Sequence, residues 1–196
     1  NTTDNKGRTA LHSCRFNEPA FTRELFDSFE SEEFCYQLLS ARDDNGKTPL
    51  FSFEPSAVIA ALAQFESELR FQQVCIRDNK GRNIFHNIGS SDTLAISELF
   101  TFLRSDDRCF QLLAMQDDTG KTPLFYFGVN SVVATLSRFS LEEQISLLEI
   151  IDNEGSTPLH VYRYEKISQP HFGKYMEQFT TEQWFKLLAL QNNVGQ

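Results

Sequence analysis

DNGKTPLF (44–51) returns almost unchanged as DTGKTPLF (118–125). Variants of the same phrase stand at 4–12 (DNKGRTALH), 78–86 (DNKGRNIFH) and 152–160 (DNEGSTPLH), and NNVG at 192–195 begins it again. Asp and Asn favour the opening of a tight turn, and Gly supplies the positive φ that the turn needs. Thr48, Thr122 and Thr157 follow where a helix N-cap is wanted, directly before Pro49, Pro123 and Pro158. Proline suits the first helical position, because the N–H it lacks would have no partner there. Each phrase therefore reads as a loop that turns into a helix, with Leu50, Leu124 and Leu159 as the first core contacts.

The turn glycines Gly7, Gly46, Gly81, Gly120, Gly155 and Gly195 are 39, 35, 39, 35 and 40 residues apart. The alternation makes the true period a pair of units, 74 residues long. His12, His86 and His160 keep that period, as do Cys35 with Cys109 and Phe65 with Phe139. Self-similarity of this kind marks a stack in which each unit buries its apolar faces against its neighbours. The units run 4–42, 43–77, 78–116, 117–151 and 152–191, and a sixth begins at 192.

Two further helices follow the phrase in each unit. FTRELFDSF (21–29) places Phe21, Leu25, Phe26 and Phe29 on one helical face, and SEEFCYQLLSA (31–41) does the same with Phe34, Cys35, Leu38 and Leu39. The short units answer with 56–65 and 67–76. Ser140 with Glu143 and Thr180 with Gln183 fit a capping box, and Ser31 and Ser105 occupy the equivalent N-cap. No stretch alternates with period two. The expected fold is an all-α helical repeat solenoid of about fifteen helices, with Leu50, Leu124, Leu159, Phe26, Phe100, Leu38 and Leu112 buried.

Composition narrows the function. The net charge of −9 disfavours nucleic-acid binding, which needs basic surface to neutralise phosphates. The apolar runs are short and interrupted, so no membrane span is expected. Cys14, Cys35, Cys75 and Cys109 form no CxxC pair and read as small buried hydrophobes in a reducing, cytosolic environment. The start at Asn1 and the stop within a turn at Gln196 suggest a piece of a longer protein.

The phrase D-x-x-G-x-T-P-L-H resembles the opening of the ankyrin repeat, most closely at DNEGSTPLH and DNKGRTALH. In the two short units Phe51 and Phe125 replace the histidine, and Asn83 replaces threonine before His86. The resemblance implies that Thr9 with His12, and Thr157 with His160, tie neighbouring turns together. The usual ankyrin unit has about 33 residues and two helices, so these longer units are ankyrin-like. Arrays of this longer type look similar to those of effector proteins that intracellular bacteria deliver into the host cytosol.

Signs of chemistry are weak. GKT at 46–48 and 120–122 invites a phosphate loop, but Ala41 and Met115 stand where that motif needs glycine. The histidines recur two units apart, which at about 10 Å per packed helix separates them by roughly 20 Å. They cannot share one metal. His171 stands alone, and neither a GxSxG serine nor a Cys–His motif occurs. No catalysis, cofactor or metal is expected.

An extended, exposed surface suits a monomeric protein-interaction scaffold with a protein partner. The alternative is the targeting arm of a larger multidomain enzyme. The turn tips carry Lys6, Arg8, Lys47, Lys80, Arg82 and Lys121, though neighbouring aspartates neutralise much of that charge. Tyr126 lies between Phe125 and Phe127 and should point outward; Arg15, Tyr162 and Tyr164 occupy related places. Lys47, Lys80, Arg82, Lys121 and Tyr126 are the candidate partner-binding residues, expected on one face. Trp184, Phe185, Leu187, Leu188 and Leu190 suggest an uncapped last unit.

Overall fold

A computed structural model describes residues 2–14, 16, 18–29, 31–88, 93–103, 105–162 and 170–189. Among them the fold is all-helical, without strands. The first unit holds α1 (Ala10–Ser13), α2 (Pro19–Asp27) and α3 (Glu32–Ser40). The second holds a 3-10 helix (Pro49–Ser52), α4 (Pro55–Leu62) and α5 (Ser67–Cys75). The third holds α6 (Ile84–Ile88), α7 (Thr93–Leu103) and α8 (Asp106–Ala114). The fourth holds a 3-10 helix (Pro123–Phe125), α9 (Val129–Leu136) and α10 (Leu141–Leu148), and the fifth α11 (Pro158–Tyr162), α12 (Pro170–Met176) and α13 (Thr181–Ala189).

Three helical elements per unit match the expectation, but the first element of each short unit is a 3-10 helix. In the second unit Pro55 holds Glu54 in extended backbone, so a helix begun at Pro49 cannot run on. The tight turn also buries Phe51 and Phe53 together, as it does Phe125 and Phe127. In an α-helix residues two apart point about 200° from each other, and one of each pair would face water.

The second helices pack in chain order, α2 on α4, α4 on α7, α7 on α9 and α9 on α12; the third helices α8, α10 and α13 follow the same order. Leu50, Leu124, Phe26, Phe100 and Leu112 are fully or almost fully buried, as the period predicts. Leu38 and Leu159 are only half-buried. Both belong to the first or fifth unit, where the described residues supply a packed neighbour on one side only. Phe21 and Phe34 are exposed despite their place on an apolar stripe. Each rests on another ring, Phe21 stacked 6.0 Å from Phe16 and Phe34 edge-on to Phe29 at 5.6 Å. Phe185 is exposed and Leu187 buried; Leu190 lies outside the described residues, as do the side chains of Trp184 and Leu188.

Caps drawn from sequence form at Ser31, Ser105, Ser140 and Thr180, each hydroxyl accepting the amide three residues on. Thr48 and Thr122 do not cap through their side chains. Their buried hydroxyls have no partner, because Phe51 and Phe125 stand where other units place a histidine.

Each turn is braced by its first aspartate. Asp43 Oδ1 accepts the amides of Asn45 and Lys47, and Asp4, Asp78, Asp117 and Asp152 repeat the arrangement. Consecutive turns are then joined main chain to main chain. Asp44 N–H donates to Lys6 O at 3.0 Å, Asn79 to Asn45 O at 2.8 Å, Asp118 to Lys80 O at 3.0 Å and Asn153 to Thr119 O at 3.0 Å. This ladder requires glycine beside it: at Gly120 φ is +80°, and a Cβ would lie 2.7 Å from the Asn153 amide nitrogen.

Candidate functional site

The turn row and the first helices are the part of the molecule where the phrase places its polar side chains. Two kinds of side-chain stitch reinforce the ladder there, and they alternate. His12 Nε2 donates to Lys47 O at 2.9 Å, and His86 Nε2 to Lys121 O at 3.1 Å. A carbonyl only accepts, so Nε2 carries a proton in both imidazoles. Nδ1 of His12 takes the backbone N–H of Thr9 at 3.1 Å. Nδ1 of His86 lies 3.2 Å from the backbone nitrogen of Asn83 and 2.8 Å from its Oδ1, an acceptor, so its surroundings suit a protonated as well as a neutral Nδ1. His160 repeats the inner half of the arrangement with Thr157. Burial pushes the His86 pKa below its ordinary value.

The reverse stitch is asparagine. Asn79 Nδ2 donates to Asp44 O at 2.9 Å, and Asn153 Nδ2 to Asp118 O at 3.0 Å. The long units thus reach forward with histidine and backward with asparagine, and the short units supply carbonyls to both. A further row runs beside them: Arg42 Nη2 donates to Arg77 O at 2.6 Å, Arg77 Nη2 to Gln116 O, and Gln116 Nε2 to Ile151 O at 2.9 Å. Sequence reading missed the asparagines and this row. The signal was the strict alternation of Asn5, Asp44, Asn79, Asp118 and Asn153 after each turn's first aspartate.

The five candidate partner-binding residues lie along this row of turns, with differing freedom. Arg82 is committed to its own turn, its Nε and Nη2 at 3.1 and 2.8 Å from Asp78 Oδ2. Burial alone would raise the Asp78 carboxyl, but the hydrogen bonds from Arg82 and Lys80 outweigh it and hold the carboxyl below its usual range. Lys121 Nζ is 3.9 Å from Asp152, and Lys47 Nζ lies 5.9 Å above the Phe51 ring. Lys80 is exposed and has no ion pair among the described residues. Tyr126 points outward as expected, 37% exposed, yet its hydroxyl donates to Asp117 Oδ2 at 2.6 Å and its ring lies edge-on to His86. Burial and that carboxylate push the phenol up to about 12. Arg15 and Tyr164, and the side chains of Tyr162 and His171, lie outside the described residues.

The GKT loops have no room for a phosphate. The amides that would cradle it are taken internally, Gly46 N–H by Asp43 O at 2.8 Å and Lys47 N–H by Asp43 Oδ1 at 2.9 Å. Among the described residues no group of three His, Cys, Asp or Glu side chains could hold a metal ion. All four cysteines are free. Cys35 and Cys109 are buried as the repeat suggested, Cys75 is half-buried, and Cys14 is exposed at the end of α1, against expectation. Burial pushes the thiols of Cys75 and Cys109 up to about 11, far from the thiolate a nucleophile needs. No described helix is long and apolar enough to cross a membrane.

The chain matches no protein-family model, and it matches no curated protein.

Proposed function

We propose that the chain is an ankyrin-like helical repeat solenoid of five alternating units that binds a protein partner along its turn row and carries out no catalysis. The observation supporting this reading is the ladder: every described turn-to-turn junction uses the same main-chain hydrogen bond. Such a joint holds the turns in line while leaving Lys80 and Tyr126 facing outward. Fixed, aligned side chains lose little entropy on binding, and Tyr offers large contact area with a polar handle.

Lys47→Glu, Lys80→Glu and Tyr126→Ala combined should leave circular dichroism unchanged and abolish capture of the partner that the original chain retains from a cell lysate. Arg82 stays out of this variant, since its loss would loosen the Asp78 turn. Equal capture by the variant would place recognition on another face, and no specific capture by either chain would remove the binding role. Sedimentation should give a monomer.

A further inference from the structure

Of the six turn phrases, only the second sets asparagine directly before its glycine, at Asn45-Gly46; the others place Lys6, Lys80, Thr119, Glu154 and Val194 there. Asparagine is a chemically labile residue. Before glycine it is most exposed to attack, because no Cβ keeps the next main-chain nitrogen from its side-chain carbonyl carbon. Asn45 stands exposed at the turn tip, but that nitrogen is held back. Gly46 N–H donates to Asp43 O at 2.8 Å, and Asn45 N–H to Asp43 Oδ1 at 2.8 Å. Asn45 O accepts the Asn79 amide at 2.8 Å, and Asn79 Nδ2 adds its stitch to Asp44 O at 2.9 Å. Gly46 sits against the third unit so closely that a Cβ would lie 2.8 Å from the Asn79 main-chain nitrogen. The pair can react only when this turn lets go of its neighbour.

We infer that Asn45 is a site of spontaneous deamidation, gated by the joint between the second and third units, and that its isoaspartyl product cuts that joint. When the turn opens, the Gly46 nitrogen gives up its proton and bonds to Asn45 Cγ, while the Cγ–Nδ2 bond breaks and ammonia leaves. Water then opens the resulting cyclic imide at either carbonyl. Attack at Cγ leaves aspartate on an unchanged backbone, and the ladder bond re-forms. Attack at the main-chain carbonyl leaves isoaspartate. The chain then runs through Cβ and Cγ, one atom longer, and the former Asn45 carbonyl becomes a free carboxylate swung off the turn. That carbonyl is the acceptor of the Asn79 ladder amide, so the rung between the second and third units is lost. The fourth unit carries the built-in control. Thr119 stands in place of Asn45 and makes the same main-chain bonds, to Asp117 Oδ1 at 2.8 Å and from the Asn153 amide at 3.0 Å, with no side-chain amide to lose.

The full chain, aged at mildly alkaline pH with and without urea, is mapped by peptide mass spectrometry for exchange of ammonia for water at Asn45. Conversion should be about tenfold or more slower in the folded chain than in urea, since hydrogen bonds of the turn must open first. Asn79→Ala removes the stitch to Asp44 O and keeps the ladder amide. It should speed conversion several-fold in the folded chain and leave the rate in urea unchanged. Hydrogen exchange of the isoaspartyl fraction should find the residue-79 amide unprotected, with the amides of Asp44, Asp118 and Asn153 still protected. Asn45→Thr, aged alike, should keep all four. Should Asn79→Ala fail to fold, the folded and unfolded rates and the exchange pattern decide together. Equal rates with and without urea, conversion only on global unfolding, no acceleration in Asn79→Ala, or an isoaspartyl chain with the Asn79 amide still protected would overturn the inference.

Discussion

Thr9 and His12 satisfy one another, the hydroxyl lying 2.9 Å from Nδ1, whereas the Thr48 hydroxyl, at the same point of the next unit, is buried without a partner. One substitution three residues downstream, histidine to phenylalanine, accounts for the difference. A buried polar group left unsatisfied is destabilising, while one that is satisfied contributes modestly.

Thr48→Val and Thr122→Val should therefore be neutral or stabilise by up to about 1 kcal/mol, because each removes a hydroxyl that finds no partner. Thr9→Val should cost about 1 kcal/mol. Urea midpoints at constant m-value distinguish the two classes, and a loss at Thr48 matching that at Thr9 would contradict the account.

Gly120 and Gly128 offer a matched pair eight residues apart. Alanine at Gly120 faces both a positive φ and the Asn153 amide, so it should cost at least about 2 kcal/mol. Gly128 has φ −68° and open space around its Cβ position. It is the N-cap of α9, where alanine is the poorer residue, so alanine there should cost less than about 1 kcal/mol, and thermal unfolding will rank them.

The turn aspartates set the acid limit of the fold. Asp78 and Asp117 have folded pKa values below the ordinary one. Their stabilisation is complete above the unfolded pKa, about 4, and is lost as pH falls through the lower folded values. Unfolding midpoints should decline steadily below about pH 4. Asp117→Asn should be less stable at neutral pH and should show a shallower decline.

Lys80 and Arg82, two residues apart, should behave oppositely under charge reversal. Lys80→Glu should change stability by less than about 0.5 kcal/mol. Arg82→Glu sets a carboxylate beside the buried Asp78 and should cost roughly 2 kcal/mol. If Arg82→Glu proves as benign as Lys80→Glu, the Asp78 brace contributes little.

The turn phrase was legible because it is local: Asp, Gly, Thr and Pro each act through their own backbone, and neighbours in sequence decide the outcome. The all-helical fold followed from repeated capping signals and helical periodicity. The burial of Leu50 and Phe100 followed from the 74-residue period, while Phe34 sits exposed because periodicity reports a stripe and not what covers it. The 3-10 helices at Pro49 and Pro123 were harder to see, since Phe51 and Phe53 compete for one core against the helical period. At the candidate surface, Tyr126 was placed correctly by alternation. The bond of Arg82 to Asp78 and the stitches from Asn79 and Asn153 depend on side-chain reach within or between turns, which spacing alone does not convey.

The ladder between turns is made by the main chain, and its acceptor carbonyls belong to Lys6, Asn45, Lys80 and Thr119. These side chains differ in charge, length and polarity while the joint they sit on stays the same. The joint and the side chain at its tip are thereby uncoupled: the ladder bond asks only for the carbonyl of the residue before each turn glycine. A tip can change its side chain with no compensating change in the neighbouring unit.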